Sequence, residues 1–483
     1  MSDQLKKKIK KYGLSLGTNW FGIALTVITQ VAFARLLGVS DYGRLSLCLA
    51  IVLLPLAIVD LGISPSTPRF MAMNIGKGRY DIVLAIAKKT VWATGIVALF
   101  YLSLMMLIKP WIVIWMKIPM AESTLWCLII FSPAVYLTRW ASSVLKGLGR
   151  IRTEIFLDST LQRGFVLIMG GGAWYIFKTT ASVAIGYGLS YLTTGFIGLF
   201  LCIIELRKLD VKRVEPFNFK LKDLLLHGIP INIAGLAQRI LRRCDIIVVG
   251  ALLDESAVGL YRVATTITSG IQKLITPLNT FALFHISKNV GEGAMNNIIN
   301  YYSKVVNLSI CLSLPVYYLI FRHAEKFLVV IYSSEYSAAA LVLKVLCVGF
   351  AFFVAMGPMG AVFNALGKNW IRMWIVIVTG IVNILLNILL IRAIGLVGAA
   401  VSTSICFIIL YVLFNISFRS MDIHFNKGAS SFLTVLAGML IASFLDFSFL
   451  KTNTCFYVLL SVFSFIVVCT LPAIKTYNSL KNR

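Results

Sequence analysis

The sequence lacks most of the residue patterns on which enzymes and metalloproteins depend. It has only 19 acidic residues against 45 Lys and Arg, and its four histidines, His227, His285, His323 and His424, are isolated from one another. Its nine cysteines are scattered through apolar stretches without a CxxC pair, so they read as small buried hydrophobic residues. No Gly-rich phosphate loop of the GxxxxGKS type is present. These absences argue against a metal centre, a His-based catalytic centre and built-in ATP hydrolysis.

Long polar stretches that could form a soluble domain are missing as well. The 483 residues are 59% hydrophobic and the mean hydropathy is +0.88, whereas soluble domains are about 45–50% apolar. Apolar segments of about 20 residues, long enough to cross a bilayer, recur about fourteen times. Their approximate bounds are 13–37, 42–63, 89–108, 122–145, 154–177, 182–204, 224–252, 257–284, 299–321, 338–363, 370–391, 396–418, 430–447 and 454–474. The pattern predicts an all-α polytopic membrane protein.

The formal net charge of +26 follows from membrane topology. If the N-terminus is cytoplasmic, roughly 28 of the 45 basic residues fall on the cytoplasmic side and about 9 on the other, which is the positive-inside bias. We therefore predict a multi-pass protein with both termini cytoplasmic, whose first apolar segment is a retained helix without a signal-peptide cleavage site. Basic residues also attract anionic lipid headgroups. Nucleic acid is not expected as a partner, because no basic patch is interleaved with accessible aromatic residues.

An internal repeat divides the chain. LLGVSDYGRL (36–45) follows the first span, and LLDESAVGLY (252–261) follows the seventh. GLGR (147–150) matches ALGK (365–368), and ASVAIG (181–186) matches GLVGAA (395–400). All three offsets lie near 216 residues and cover an even number of spans. The copies are therefore predicted to be parallel, related by a pseudo-two-fold axis along the membrane normal, with a cavity between them.

The repeat predicts two six-helix bundles, residues 1–204 and 223–418. A cytoplasmic linker, 205–222, joins them, and residues 419–483 hold two appended helices and a cytoplasmic tail. This is the architecture of a transporter. Because no nucleotide-binding motif is present, we expect transport to be coupled to a proton or sodium gradient. We also expect the protein to need no cofactor and to act as a monomer.

Several stretches resemble one transporter family. VAFARLLGVSDYGRLSL, DLGISPSTPRF and LKGLGR resemble segments of the bacterial polysaccharide exporters of the multidrug/oligosaccharidyl-lipid/polysaccharide superfamily, in particular the O-antigen flippases. The resemblance implies a MATE-like pair of bundles, alternating access and a place in the bacterial inner membrane. It also implies translocation of an undecaprenyl-pyrophosphate-linked oligosaccharide from the cytoplasmic to the periplasmic leaflet, beside other polysaccharide assembly proteins.

A stripe of arginines crosses the seventh predicted span. At about 100° per residue, Arg239 and Arg243 lie within about 40° of each other on one helical face, and Arg242 lies about 60° to the other side. Such charges would cost roughly 2.5–3.5 kcal/mol each if they faced lipid at the bilayer centre. They are therefore predicted to face a cavity or partners. Asp245, three residues after Arg242, is placed to neutralise only one of them.

Further intramembrane cations extend the stripe. In the eighth span Arg262 and Lys273 share a polar face, and Arg139 in the fourth span adds another charge. The intramembrane anions are chiefly Asp60, Asp158 and Asp245. An external anion is needed, and a pyrophosphate of about two negative charges fits, because guanidinium groups bind phosphate oxygens bidentately. The predicted pyrophosphate site is Arg139, Arg239, Arg242, Arg243, Arg262 and Lys273.

Structural alternatives stay open for these charges. An intramembrane arginine can pair with an aspartate, cap a broken helix or reach an interface, and such a role is favoured for Arg35 and Lys344. Arg163 can pair with Asp158, five residues before it. Asp60, beside helix-breaking Gly62, can be a helix cap. Alternatively Asp60, Asp158 or Asp245 can carry a coupling ion, a role that the resemblance implies for an acidic residue of the first bundle.

Two other functions compete with a glycan flippase. A drug or ion antiporter of the same superfamily would have the same fold, but a site for cations should be acidic or aromatic rather than lined by arginine. A membrane polysaccharide polymerase or lipid-sugar glycosyltransferase would have a similar helix count. It would need a sizeable outer segment to hold glycan, and the longest ones here, about 109–121 and 322–337, are short.

Overall fold

The computed structural model describes residues 3–60, 62–116, 121–209, 235, 239–240, 243–291 and 295–421. Within these ranges all regular structure is helical, which confirms the predicted all-α class. Seven of the described helices are long and apolar enough to cross a membrane, or eight if one bent pair forms a single span. The predicted spans 430–447 and 454–474, much of the span 224–252, and residues 210–222 of the predicted linker lie outside the described residues.

The first two predicted spans form one kinked helical path. Helix α1 (Asp3–Leu53) breaks at Gly38, whose φ of 75° lies in the region that favours glycine, between the predicted spans. Two short helices follow, α2 (Leu56–Val59) and α3 (Ile63–Gly76), with Gly62 at φ 82° before α3. The predicted second span, 42–63, ends at the start of α3, which continues the helical path to Gly76. Hydropathy marks only the apolar part of a helix, so it missed this extension.

The next helices enclose an apolar core. Helix α4 (Tyr80–Met116) is followed by α5 (Glu122–Ile130) and α6 (Ser132–Gly147), which are bent by 41° at Phe131. Trp140 of α6 donates a hydrogen bond from Nε1 to Thr90 Oγ1 of α4, at 3.1 Å. Around it lies a buried cluster that includes Met71, Ile82, Ile86, Val144, Leu157 and Cys202. This packing fixes α6, and with it Arg139.

The fifth predicted span, 154–177, is helical but irregular. It consists of α7 (Ile151–Ile155), α8 (Gln162–Phe165) and α9 (Gly171–Phe177), joined by the π-helical segments Phe156–Leu161 and Val166–Gly170. Wide π turns often occur at functional sites, and here they flank Arg163. Helix α10 (Thr180–Arg207) begins after Thr179, whose side chain accepts a hydrogen bond from the Ser182 N–H at 3.2 Å.

The structure contains two compact units, Met1–Arg262 and Val263–Arg483. The first ends with helical residues 243–252 (α11) and the start of α12 (Glu255–Gly291). The second continues with α13 (Met295–Arg322), α14 (Ala324–Ile331), a 3-10 segment (Ser334–Ala339), α15 (Ala340–Ala355), α16 (Met359–Ala365), α17 (Asn369–Ile394) and α18 (Leu396–Arg419). The predicted span 338–363 is thus divided between α15 and α16, where Gly357 has φ 54°. The predicted bundle boundaries remain predictions.

The two copies of the first repeat motif contact each other within the first unit. A Cβ on Gly43 would overlap the carbonyl oxygen of Glu255, and a Cβ on Gly259 would overlap that of Val39. Gly43 is equivalent to Gly259, and Val39 to Glu255, at the repeat offset of 216 residues. The contact of Gly43 with Glu255 is therefore equivalent to the contact of Gly259 with Val39. Such a reciprocal pair of contacts is the pattern of a local two-fold axis. Arg44 crosses this contact, with its Nη2 atom 2.8 Å from Glu255 Oε2.

Candidate functional site

Five arginines of the first unit lie close enough to interact electrostatically. The guanidinium of Arg243 in α11 is repelled by those of Arg262 (α12), Arg139 (α6) and Arg163 (α8), and Arg139 also repels Arg239. We call these five residues the arginine cluster. Four belong to helices from different parts of the sequence, so tertiary packing brings like charges together. Four of the predicted site residues therefore belong to the cluster: Arg139, Arg239, Arg243 and Arg262.

The cluster is not fully buried, although it belongs to apolar segments. The Arg239 and Arg243 side chains are exposed, and those of Arg139, Arg163 and Arg262 are partly buried. Protein atoms nevertheless surround Arg243 on most sides. An intramembrane charge in such surroundings is expected to face a cavity rather than lipid.

Direct ion pairs do not neutralise four of the five members of the cluster. In the part of the chain that the structure describes, Arg139, Arg163, Arg239 and Arg243 have no carboxylate within 4.0 Å; the ion pairs found there join other residues, such as Arg44 to Glu255 and Lys109 to Glu122. The predicted pairing of Arg163 with Asp158 is therefore not formed. Uncompensated like charges at short range are costly where water is scarce, so the cluster is suited to a multivalent anion.

Asp60 is the carboxylate that acts on the cluster electrostatically. It attracts Arg139 and Arg239, but its oxygens accept hydrogen bonds from Ser64, 2.8 Å from the hydroxyl and 3.3 Å from the backbone N–H. Asp60 is buried, with 4% of its surface exposed. It therefore caps the first turn of α3, as the structural alternative predicts, and also faces two members of the arginine cluster.

The other predicted site residues have different environments. Asp245 is 3% exposed, and its Oδ2 accepts a hydrogen bond from the Tyr261 hydroxyl at 2.9 Å, which ties α11 to α12. Asp158 is exposed in the first π segment. Lys273 is exposed on α12 in the second unit, and Arg242 lies outside the described residues. Their assigned roles remain predictions.

Sequence reasoning missed two tyrosines beside the cluster. Tyr191 of α10 interacts electrostatically with Arg243, and Tyr187, one helical turn earlier, interacts with Arg163 and Arg262. Tyrosines are common in apolar helices, so no spacing marked these two. They add hydroxyl groups and aromatic rings within electrostatic range of the guanidinium groups, a combination that can contact both a phosphate and an attached sugar.

Comparisons with known proteins identify the chains that this one resembles. The family model described as polysaccharide biosynthesis protein matches residues 10–289, and the MatE model matches residues 230–389. A probable low-salt glycan biosynthesis flippase, Agl15 of Haloferax volcanii, is 24% identical over 82% of this chain and 80% of its own length. The family match confirms the resemblance to polysaccharide exporters.

Solved structures show that the fold is shared. The inward closed conformation of the lipid II flippase MurJ has a TM-score of 0.76 at 16% identity, over 97% of this chain and 99% of its own. An inward-facing multidrug resistance MATE family transporter of the MOP superfamily has a TM-score of 0.70 at 14% identity, over 83% and 94% of the two chains. The MATE-like architecture expected from the sequence is therefore confirmed.

Proposed function

Since the chain belongs to the polysaccharide biosynthesis protein family, we propose that it is a flippase that moves a lipid-linked oligosaccharide across the membrane by alternating access. The observation that carries the proposal is the arginine cluster, which has no direct ion pairs for four of its members in the described residues. The names of the relatives support the same class, because one is a glycan biosynthesis flippase and another a lipid II flippase.

The proposed substrate is an undecaprenyl-pyrophosphate-linked repeat unit of the O-antigen type, moved from the cytoplasmic to the periplasmic leaflet of a bacterial inner membrane. A pyrophosphate concentrates about two negative charges in a small volume, and arginine binds its oxygens with pairs of parallel hydrogen bonds. Arg239 and Arg243 are accessible enough to make such contacts. The glycan would then contact dispersed polar and aromatic groups such as Tyr191.

The experiment that tests this function is complementation of a strain that lacks its O-antigen flippase and accumulates the lipid-linked repeat unit. The chain should restore surface glycan and reduce the accumulated intermediate. Unchanged accumulation at normal membrane abundance, with substrates of several glycan compositions, would exclude the proposed activity.

The alternatives are less compatible with the site. A cation exporter of the same superfamily would have to bind positive drugs beside five arginines, which the sign of the charge opposes. An enzyme that polymerises or transfers lipid-linked sugars would need a base or nucleophile beside the bound phosphate, and the nearby carboxylate, Asp60, is held by Ser64.

We expect the protein to act as a monomer with both termini cytoplasmic. A reporter fused after Arg483 should therefore be active only in the cytoplasm.

We assign coupling to a proton or sodium gradient to Asp60. This carboxylate is buried, and it attracts the guanidinium groups of Arg139 and Arg239. Asp60→Asn keeps a side chain that can cap α3 but removes the titratable charge. We expect this variant to insert at normal abundance and to lose gradient-driven transport in proteoliposomes. Ser64→Ala is the matched control, because it weakens the cap while leaving the carboxylate, and it should keep gradient dependence.

If Asp60→Asn retains full gradient dependence, Asp60 is a cap only. The same measurement on Asp158→Asn then decides whether the second acidic candidate carries the ion.

A further inference from the structure

Lys344 is a charged residue within an apolar helix of the second unit. It lies in the second turn of α15, in the candidate span Ser334–Ala355, whose mean hydropathy is 2.4. Its side chain is partly buried, and among the described residues it has neither a hydrogen bond nor an ion pair. A lysine in this position needs an anionic partner or must extend its ammonium group to the membrane interface.

A groove of about 350 Å³ lies directly beside Lys344. Its walls include Phe321, Leu341, Val348, Val401 and Ile405, from α13, α15 and α18. Helices α15 and α18 are held together at its edge, where Gly349 packs against Ser404 and the Ser404 hydroxyl donates a hydrogen bond to the Val345 carbonyl oxygen at 2.9 Å. The groove is therefore formed by well-packed helices, and Lys344 is the only ionisable residue in its lining.

The groove has exposed walls close to the connection between α13 and α15. Phe321 is the penultimate residue of α13 and Leu341 lies in the first turn of α15, so both are close to the connection 323–339. Phe321, Leu341 and Val348 are 41%, 56% and 46% exposed. An apolar groove beside a lysine that can extend its ammonium group toward the interface has the layout of a phospholipid site, because the headgroup of a lipid lies at the interface and its acyl chains lie below.

We propose that this groove binds one anionic phospholipid, with an acyl chain in the groove and the headgroup phosphate at the Lys344 ammonium group. The volume lies near the lower end of the range of about 300–1,000 Å³ for ligand pockets, which suits a single acyl chain better than a polyprenyl chain several times longer. The proposal rests on this groove and does not depend on the proposed transport function.

The test is native mass spectrometry of the full-length protein, delipidated and then titrated with phosphatidylglycerol or phosphatidylcholine of identical acyl chains. The wild-type protein should retain phosphatidylglycerol preferentially. Lys344→Met keeps the length of the apolar side chain but removes the charge, and should weaken phosphatidylglycerol binding by about fivefold, the effect of one lysine near an anionic headgroup. Val348→Trp fills the groove with Lys344 intact and should weaken the binding of that lipid as well.

Lys326→Met is the matched control. Lys326 is an exposed lysine of α14, between α13 and α15, and it does not line the groove, so its loss should leave retention unchanged. Equal retention of the two phospholipids, an equal loss in the Lys326 variant, or a Lys344-dependent signal seen only with undecaprenyl phosphate would overturn the proposal. Thermal stability of each variant, measured in the same detergent, excludes unfolding as the cause of lost binding.

Discussion

The Arg239→Gln and Arg243→Gln variants are each expected to lower transport of the lipid-linked glycan by about tenfold or more. A charge-assisted hydrogen bond contributes about 1.5–3 kcal/mol, and about 1.36 kcal/mol corresponds to a factor of ten in rate. Neither arginine has a carboxylate within ion-pair distance among the described residues. Replacing it with glutamine therefore does not break an ion pair with a buried carboxylate in that part of the chain. Protein abundance should therefore stay normal while transport falls.

Lysine substitutions separate charge from geometry at the same positions. Arg243→Lys keeps the charge but loses the planar pair of donors, so it should restore transport only in part. Arg419→Gln, at an exposed arginine in the last turn of α18, is the matched control and should transport normally. Both would be measured as surface glycan in the flippase-deficient strain, with membrane protein quantified alongside. Full transport by the Arg239→Gln/Arg243→Gln double variant would remove the proposed site.

The Gly43→Ala and Gly259→Ala variants are expected to separate the two copies of the repeat motif and to impair alternating access. A methyl group at either position would overlap a backbone carbonyl oxygen of the opposite segment. Extra atoms in a packed contact cost roughly 1–3 kcal/mol, which lowers the occupancy of this conformation about fivefold or more. Because the contact is locally two-fold, the two variants should have similar effects.

The distance between spin labels at Ser40→Cys and Leu253→Cys would report the separation, in a background without other cysteines. Both positions are exposed next to the contact. The label distance should lengthen in the Gly43→Ala protein, and transport should fall with it. Gly95→Ala in α4 is the control, because a Cβ there meets nothing within 4 Å. Identical distance distributions in the Gly43→Ala and wild-type proteins would show that the contact does not determine the conformation.

Arg44→Ala should act in the same direction as the glycine variants but more weakly. It removes the ion pair to Glu255 across the contact without introducing an overlap.

The sequence predicted the helical class and many of the spans because apolar length is a direct consequence of the bilayer. Hydropathy did not predict where helices break within a span. The turn before α2 and the break before α3 depend on Pro55 and on the left-handed Gly62, whereas the division of α15 from α16 depends on Gly357. Hydropathy carries no information on backbone dihedral angles, so the breaks appear only in the folded chain.

The candidate site was predictable where a charged residue lay within an apolar segment of the sequence. Arg239, Arg243 and Arg262 were visible as charges in apolar spans. The role of Arg163 was ambiguous, because Asp158, the nearest carboxylate along the sequence, was a possible ion-pair partner. The π-helical segment does not bring the two side chains into contact. The repeat identified Gly43 and Gly259 as equivalent residues, but sequence equivalence cannot show that two copies touch.

Equilibrium binding of undecaprenyl pyrophosphate, undecaprenyl phosphate and undecaprenol to the purified protein tests the central claim most directly, since the three lipids differ only in headgroup charge. If the arginine cluster holds the pyrophosphate, affinity should fall in that order for the wild-type protein, and the order should largely disappear in the Arg239→Gln/Arg243→Gln variant. Wild-type protein that binds undecaprenol as tightly as the pyrophosphate, or a double variant that still discriminates between them, would contradict the account.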